Sequence, residues 1–127
     1  MDIDWIARLA TSFPQVTETT HWGHRTWQVA RKSFVWERPF TNADIKRFGE
    51  ARVPEEPIIA IRTEDLHDKA AVLASEPPGA FDIEHFKDYP AYLVELQLAT
   101  EQSVRELIKD GWLAVAPERL ARDFLGD

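Results

Sequence analysis

Residues 25 to 38 read as two strands with almost nothing between them. In Arg25 to Ala30, Trp27 and Val29 share one face, and in Ser33 to Arg38, Phe34 and Trp36 share one face. The link through Arg31 and Lys32 leaves room only for a tight hairpin with its basic tip in water. Strands joined in this way are antiparallel neighbours, which sets the kind of sheet the other elements can enter.

Helical and extended segments alternate around this hairpin. Ile3, Ile6, Ala10 and Phe13 fall at helical spacing behind Asp2 as N-cap, and Pro14 stops the helix. The Thr-rich segment Val16 to His21 reads as a short edge strand. After Pro39, Thr41 and Asp44 form a capping pair for a short helix through Ile45 and Phe48 to Gly49, and a loop follows to Pro57. Ile58 to Arg62 suits a central strand; Thr63, Glu64 and Asp65 then cap a helix with Leu66, Ala70 and Leu73 on its buried stripe. Pro77-Pro78-Gly79 ends that helix, and Phe81 to Pro90 is an aromatic loop or single turn. Tyr92, Val94, Leu96 and Leu98 alternate as a strand. Val104, Leu107, Ile108, Trp112 and Val115 line a helix after Thr100, with Glu101 and Arg105 paired four apart. Pro117 opens a terminal helix. The expected fold is α+β: one domain over residues 1 to 127, with a mostly antiparallel sheet of four or five strands and helices packed on one face and at the C-terminus.

Composition removes several chemistries. The 127 residues contain no cysteine, which excludes disulfides, thiol catalysis, iron–sulfur clusters and Cys-containing zinc sites. Apolar runs such as Ile58 to Ile61 are too short to span a bilayer, and Met1 to Asp4 does not begin a secretory signal, so the expectation is a cytoplasmic protein with no membrane partner. His21 and His24 are spaced three apart with Glu18 three residues upstream, but Gly23 opposes a helix there, and no metal is expected. No GxSxG elbow occurs, and the five glycines are dispersed rather than gathered into a phosphate-cradling loop. The reading is a non-enzymatic protein without catalytic residues or cofactor.

The net charge of -7 hides a division. Residues 21 to 52 sum to +4, whereas residues 1 to 20 sum to -2 and residues 53 to 127 to -9. Aromatic residues interleave these cations, as in proteins that stack bases while holding phosphates. The nucleic-acid-binding candidates are therefore Arg25, Arg31, Lys32, Lys46, Arg47 and Arg52. Contact with DNA requires these cations to converge on one exposed surface.

Four stretches in order, FPQVTET, HRTWQVARKSFVWERP, HFKDYPAYLVELQL and VRELIKDGWLAVAPERLA, resemble the YjbR/MmcQ family. The resemblance implies a compact α+β fold described as double-wing, no established catalytic residue or cofactor, and a bacterial DNA-binding label that rests on structural analogy. Relatives commonly place Gly before Lys at the hairpin turn; Arg31 stands there instead, which adds charge and removes the residue best suited to positive φ, so a longer or reshaped turn is expected. Relatives often read Ala-Pro-Lys-Arg-Leu near the end, where this chain has Glu118 after Pro117 and so loses a cation. The retained HFKDYP loop supports an alternative, a small-molecule or protein-binding cleft formed by Trp36, Arg38, His85, Phe86, Tyr89 and Tyr92.

Overall fold

The computed structural model describes residues 1 to 126. Its elements, in chain order, are α1 (Ile3–Thr11), β1 (Thr17–His21), β2 (His24–Val29), β3 (Lys32–Glu37), α2 (Asn42–Phe48), β4 (Ile58–Arg62), α3 (Leu66–Ala74), β5 (Ala80–Phe81), β6 (Ala91–Glu95), α4 (Glu101–Val115) and α5 (Glu118–Leu125). The six strands form one antiparallel sheet in the order β1-β2-β3-β4-β6-β5. The fold is α+β, with one strand more than the upper expectation. The extra strand is β5, whose two residues pair with Leu93 and Val94 and are too short to show alternation.

Several helix starts follow from side-chain oxygens that take up unpaired N–H groups. Asp2 accepts from the Trp5 N–H at 2.8 Å, and Asp65 from the Asp68 N–H at 2.8 Å. Thr41 and Asp44 form the reciprocal capping box, with bonds of 3.1 and 2.9 Å. Glu101 and Arg105 form no ion pair; the Arg105 guanidinium instead lies 5.0 Å from the centre of the Trp5 ring, which ties α4 to α1. In α5, Arg122 pairs with Glu118.

The register divides the sheet into two faces. The row Trp27, Val35, Ile61 and Tyr92 points to one face, and the row Thr26, Trp36, Ala60 and Leu93 to the other. On the first face these side chains join Val29, Ile59 and Val94 with Ile6 and Ala10 of α1 and Val104, Ile108 and Trp112 of α4 in the main core. On the second, Ile58, Ala60 and Leu93 pack with Ile83 and Phe86, and Trp36, Phe40, Phe48 and Phe81 close around them.

One irregularity corrects the sequence reading of β3. Trp27 pairs with Val35 and Gln28 with Ser33, so Phe34 is an extra residue in a β-bulge. Phe34 and Val35 are both fully buried in the main core, and Trp36 passes to the opposite face. Strict alternation had placed Phe34 and Trp36 together. The β2–β3 turn keeps the two-residue length of the tight link but lies one residue earlier than expected and is not lengthened by the missing glycine: Ala30 and Arg31 connect the strands, with φ of 51° and 66°. Positive φ at both central residues is the mark of a type I′ turn, whose twist matches the strands even without glycine. A similar two-residue turn, Trp22-Gly23, joins β1 to β2 with φ of 53° and 79°. The last predicted strand ends early, because Leu96–Leu98 close into a 3-10 turn after Glu95.

Helix α4 reaches the sheet at Gly111. A Cβ there would lie 2.9 Å from Ile61 Cγ2, 3.3 Å from the Phe34 carbonyl oxygen and 3.4 Å from that of Arg62. Gly111→Ala should therefore lift α4 from β3 and β4 and lower stability by about 1–3 kcal/mol, the usual range for overpacking a filled core. Chemical denaturation at unchanged m-value is the check, and an equal or higher midpoint would show that the contact yields freely.

Candidate functional site

The second face of the sheet is not covered along its whole length. Over β2 and β3 lies an open groove of about 590 Å³. His24 and Thr26 come from β2, and Ser33, Trp36 and Glu37 from β3; His21 and Trp22 come from the β1–β2 turn. Arg38, Pro39 and Thr41 follow β3, and His85, Phe86 and Tyr89 come from the segment before β6. Trp22 is 88% exposed at its turn, and Phe86 is buried.

Arg38 is held in place from several sides. Its Nη1 donates to Asp44 Oδ2 at 2.9 Å and to the Pro39 carbonyl at 2.7 Å. Its guanidinium carbon lies 5.5 Å from the centre of the Phe86 ring. Asp44 is itself buried, and that burial opposes its charge, but hydrogen bonds from Arg38 and from Thr41 outweigh it and hold the carboxyl below its ordinary range. The capping box of α2 thus also anchors the arginine of the groove.

The opposite wall depends on a buried lysine. Lys69 of α3 is 3% exposed, and its Nζ donates to the Phe86 carbonyl, to the Tyr89 carbonyl at 2.9 Å and to Asp82 Oδ1 at 3.0 Å. Three donors meet three acceptors, which is the condition for burying an ammonium. The clamp sets the backbone that presents His85, Phe86 and Tyr89. Lys69→Met should lower stability by about 3 kcal/mol, because it leaves Asp82 and two carbonyls without their cation. Loosening should concentrate at residues 82–90, read as faster amide exchange there; uniform loss of protection would deny Lys69 this local role.

The groove brings together Trp36, Arg38, His85, Phe86 and Tyr89 and leaves out Tyr92. Alternation along β6 sends Tyr92 to the main core, where it is 1% exposed and burial, followed by the nearby Asp110 charge, raises its phenol pKa. The sequence reading missed His21, Trp22, His24 and Thr26 as groove residues. The Trp-Gly pair in HWGHR is the signal that places them, since a glycine in a two-residue link between strands makes a hairpin turn and folds the flanking histidines opposite each other.

The six cation candidates separate. Arg25 donates to Asp4 at 2.7 Å and to Glu18 through two bonds of 3.0 Å, and those bonds raise its pKa further. Glu18 also accepts from Trp27 Nε1 at 2.9 Å, so it is committed elsewhere than to His21 and His24. Arg52 makes a two-bond fork to Glu95 at 3.0 and 2.6 Å, and Glu95 takes a third bond from the Glu55 N–H at 3.1 Å. Arg47 lies 3.8 Å from Asp44. Of the six, Arg31, Lys32 and Lys46 have no carboxylate partner among the described residues. Arg31 closes the β2–β3 turn and Lys32 begins β3, whereas Lys46 belongs to α2, which the chain enters from the other end of that strand, about 17 Å along it.

The Arg52–Glu95 fork also has a pH signature. Its hydrogen bonds, with a smaller opposing effect of burial, lower the Glu95 pKa below 4.5. A carboxyl lowered by folding contributes stability above its unfolded pKa and loses that contribution as pH falls through the lower folded value. Arg52→Met should therefore weaken the wild-type stability loss below about pH 4.5. Denaturation midpoints at pH 7 and pH 3 measure this; an identical acid dependence in both proteins would remove the fork from the account.

No helix among the described residues is long and apolar enough to cross a membrane. The sequence model of the YjbR family matches residues 11–114. Similar proteins come from Mycobacterium bovis and from two strains of Mycobacterium tuberculosis, each described as uncharacterized. Each is 34% identical over 126 residues, covering 98% of this chain and 95% of its own length. By that family match, which spans all six strands, helices α2 and α3 and nearly all of α4, the chain belongs to the YjbR family.

Proposed function

We propose that this protein is a non-enzymatic binding module whose ligand occupies the aromatic groove. The observation that carries the reading is the meeting of Trp22, Trp36, Phe86 and Tyr89 around one open volume with the anchored Arg38. Its size of about 590 Å³ lies within the range of small-ligand sites, and aromatic walls with a few polar groups are their usual lining. The serine hydroxyls support binding over nucleophilic chemistry. Ser12 and Ser75 donate to carbonyls of their own helices at 2.6 and 2.7 Å, and Ser33 accepts from Gln28 at 3.2 Å, so none of these three is bonded to a histidine base.

A screen of small aromatic fragments by two-dimensional NMR tests the proposal. Binding should move the resonances of Thr26, Trp36, Arg38, Phe86 and Tyr89, and Trp36→Ala should weaken it at least tenfold by removing the stacking surface. Absence of any fragment that moves these residues would refute it.

DNA contact through the β2–β3 turn is the second reading, favoured by the unpaired Arg31 and Lys32 and by the label attached to the family. With two or three phosphates neutralised, log affinity should fall against log salt with a slope of about -1.8 to -2.7. Arg31→Glu with Lys32→Glu should reduce binding uniformly across sequences. Labelled duplex that stays free at low salt would end this reading.

A further inference from the structure

We propose that the groove selects a planar aromatic ring bearing a two-oxygen anion, a carboxylate or a phosphate, with the ring on Trp36 and the anion on Arg38. The inference rests on the groove being a ligand site and adds the class of ligand. It starts from how little of Arg38 the protein uses. A guanidinium has five N–H donors, and both hydrogen bonds from this one leave through Nη1. Nε and Nη2 have no acceptor among the described residues, although the side chain is only 16% exposed. No fully enclosed side-chain nitrogen or oxygen among those residues lacks a partner, so neither of these two nitrogens is wholly shut off from solvent.

That edge, Nε–H beside Nη2–H, is the fork that matches two oxygens of a carboxylate or phosphate. Its charge is not cancelled by Asp44 alone, since Arg47 lies 3.8 Å from the same carboxylate. The other ionisable groups lining the groove are His21, His24, His85, Tyr89 and Glu37. Glu37 Oε1 is already engaged, 3.4 Å from the Arg25 N–H and 4.0 Å from His24 Nδ1. An entering anion therefore meets one open cationic edge and one carboxylate that faces other partners.

Spacing adds the ring. Trp36 and Arg38 are two residues apart on an extended backbone, so they share a face at a separation of about 7 Å. A ring stacked on the indole with an acid group directly attached spans that distance. Phe86 lies under the guanidinium at 5.5 Å, which limits its swing and keeps the fork oriented.

Titration of the intact protein with 2-naphthoate, 2-naphthyl phosphate and the neutral 2-naphthalenemethanol, followed by NMR, tests the selection. The better of the two anions should bind at least tenfold more tightly than the alcohol, and its identity tells carboxylate from phosphate. Inorganic phosphate and acetate, which lack the ring, should not move the Trp36 resonances. Arg38→Gln should bring the anions down to the affinity of the alcohol, and Arg38→Lys, which keeps charge without the fork, should fall between. Equal binding of alcohol and anions by the wild-type protein would overturn the anion while leaving the groove as a ligand site, and it does not depend on any variant folding. Unchanged anion affinity in Arg38→Gln would overturn the assignment to Arg38. Failure of all three naphthyl compounds to move the groove residues would overturn both the groove and its proposed occupant.

Discussion

The extra residue at Phe34 decides where every later side chain of β3 points. Without the bulge, Phe34 and Trp36 would share a face and compete for the same layer, and Val35 would leave the row that it forms with Trp27, Ile61 and Tyr92. With it, the strand delivers two consecutive apolar residues to the main core and then turns Trp36, with Arg38 two residues on, to the other side. The Phe34 carbonyl also helps form the close surface on which α4 rests at Gly111. A single local irregularity thus joins core packing to the presence of the groove.

The groove is held by groups that belong to other elements. Asp44 caps α2 and also binds Arg38, so the start of that helix and the orientation of the guanidinium are one arrangement. Lys69 projects from α3 and collects the carbonyls of Phe86 and Tyr89 with Asp82, which gives a segment with little regular structure a defined course. Glu95, on β6, holds the loop before β4 through Arg52 and the Glu55 amide. These are buried or half-buried polar contacts with their partners satisfied, so they specify geometry where apolar packing alone would permit several.

Much of the architecture was legible because it is written in local rules. The capping box at Thr41 and Asp44, the caps at Asp2 and Asp65, the hairpin through residues 25 to 38 and the family resemblance all depend on neighbours in sequence. What escaped depends on distant partners. Nothing near Arg25 or Arg52 announces Asp4 or Glu95, which lie 21 and 43 residues away, yet those carboxylates offset the charge of two of the six cations. Tyr92 sits in a motif of aromatic residues with His85 and Tyr89, but the strand that begins just before it turns its ring to the other face of the sheet. The bulge itself has no marker in Ser33-Phe34-Val35, where apolar neighbours fit either register.

The turn that places Trp22 at the lip of the groove has an optical consequence. Trp27 and Trp112 are wholly enclosed, while the indole of Trp22 stands in solvent at 88% exposure. Its emission should lie to the red of the enclosed pair and be open to collisional quenchers that cannot reach them. An occupant that draws this ring inward would shift its colour and shield it, so the molecule carries its own fluorescent reporter beside the site.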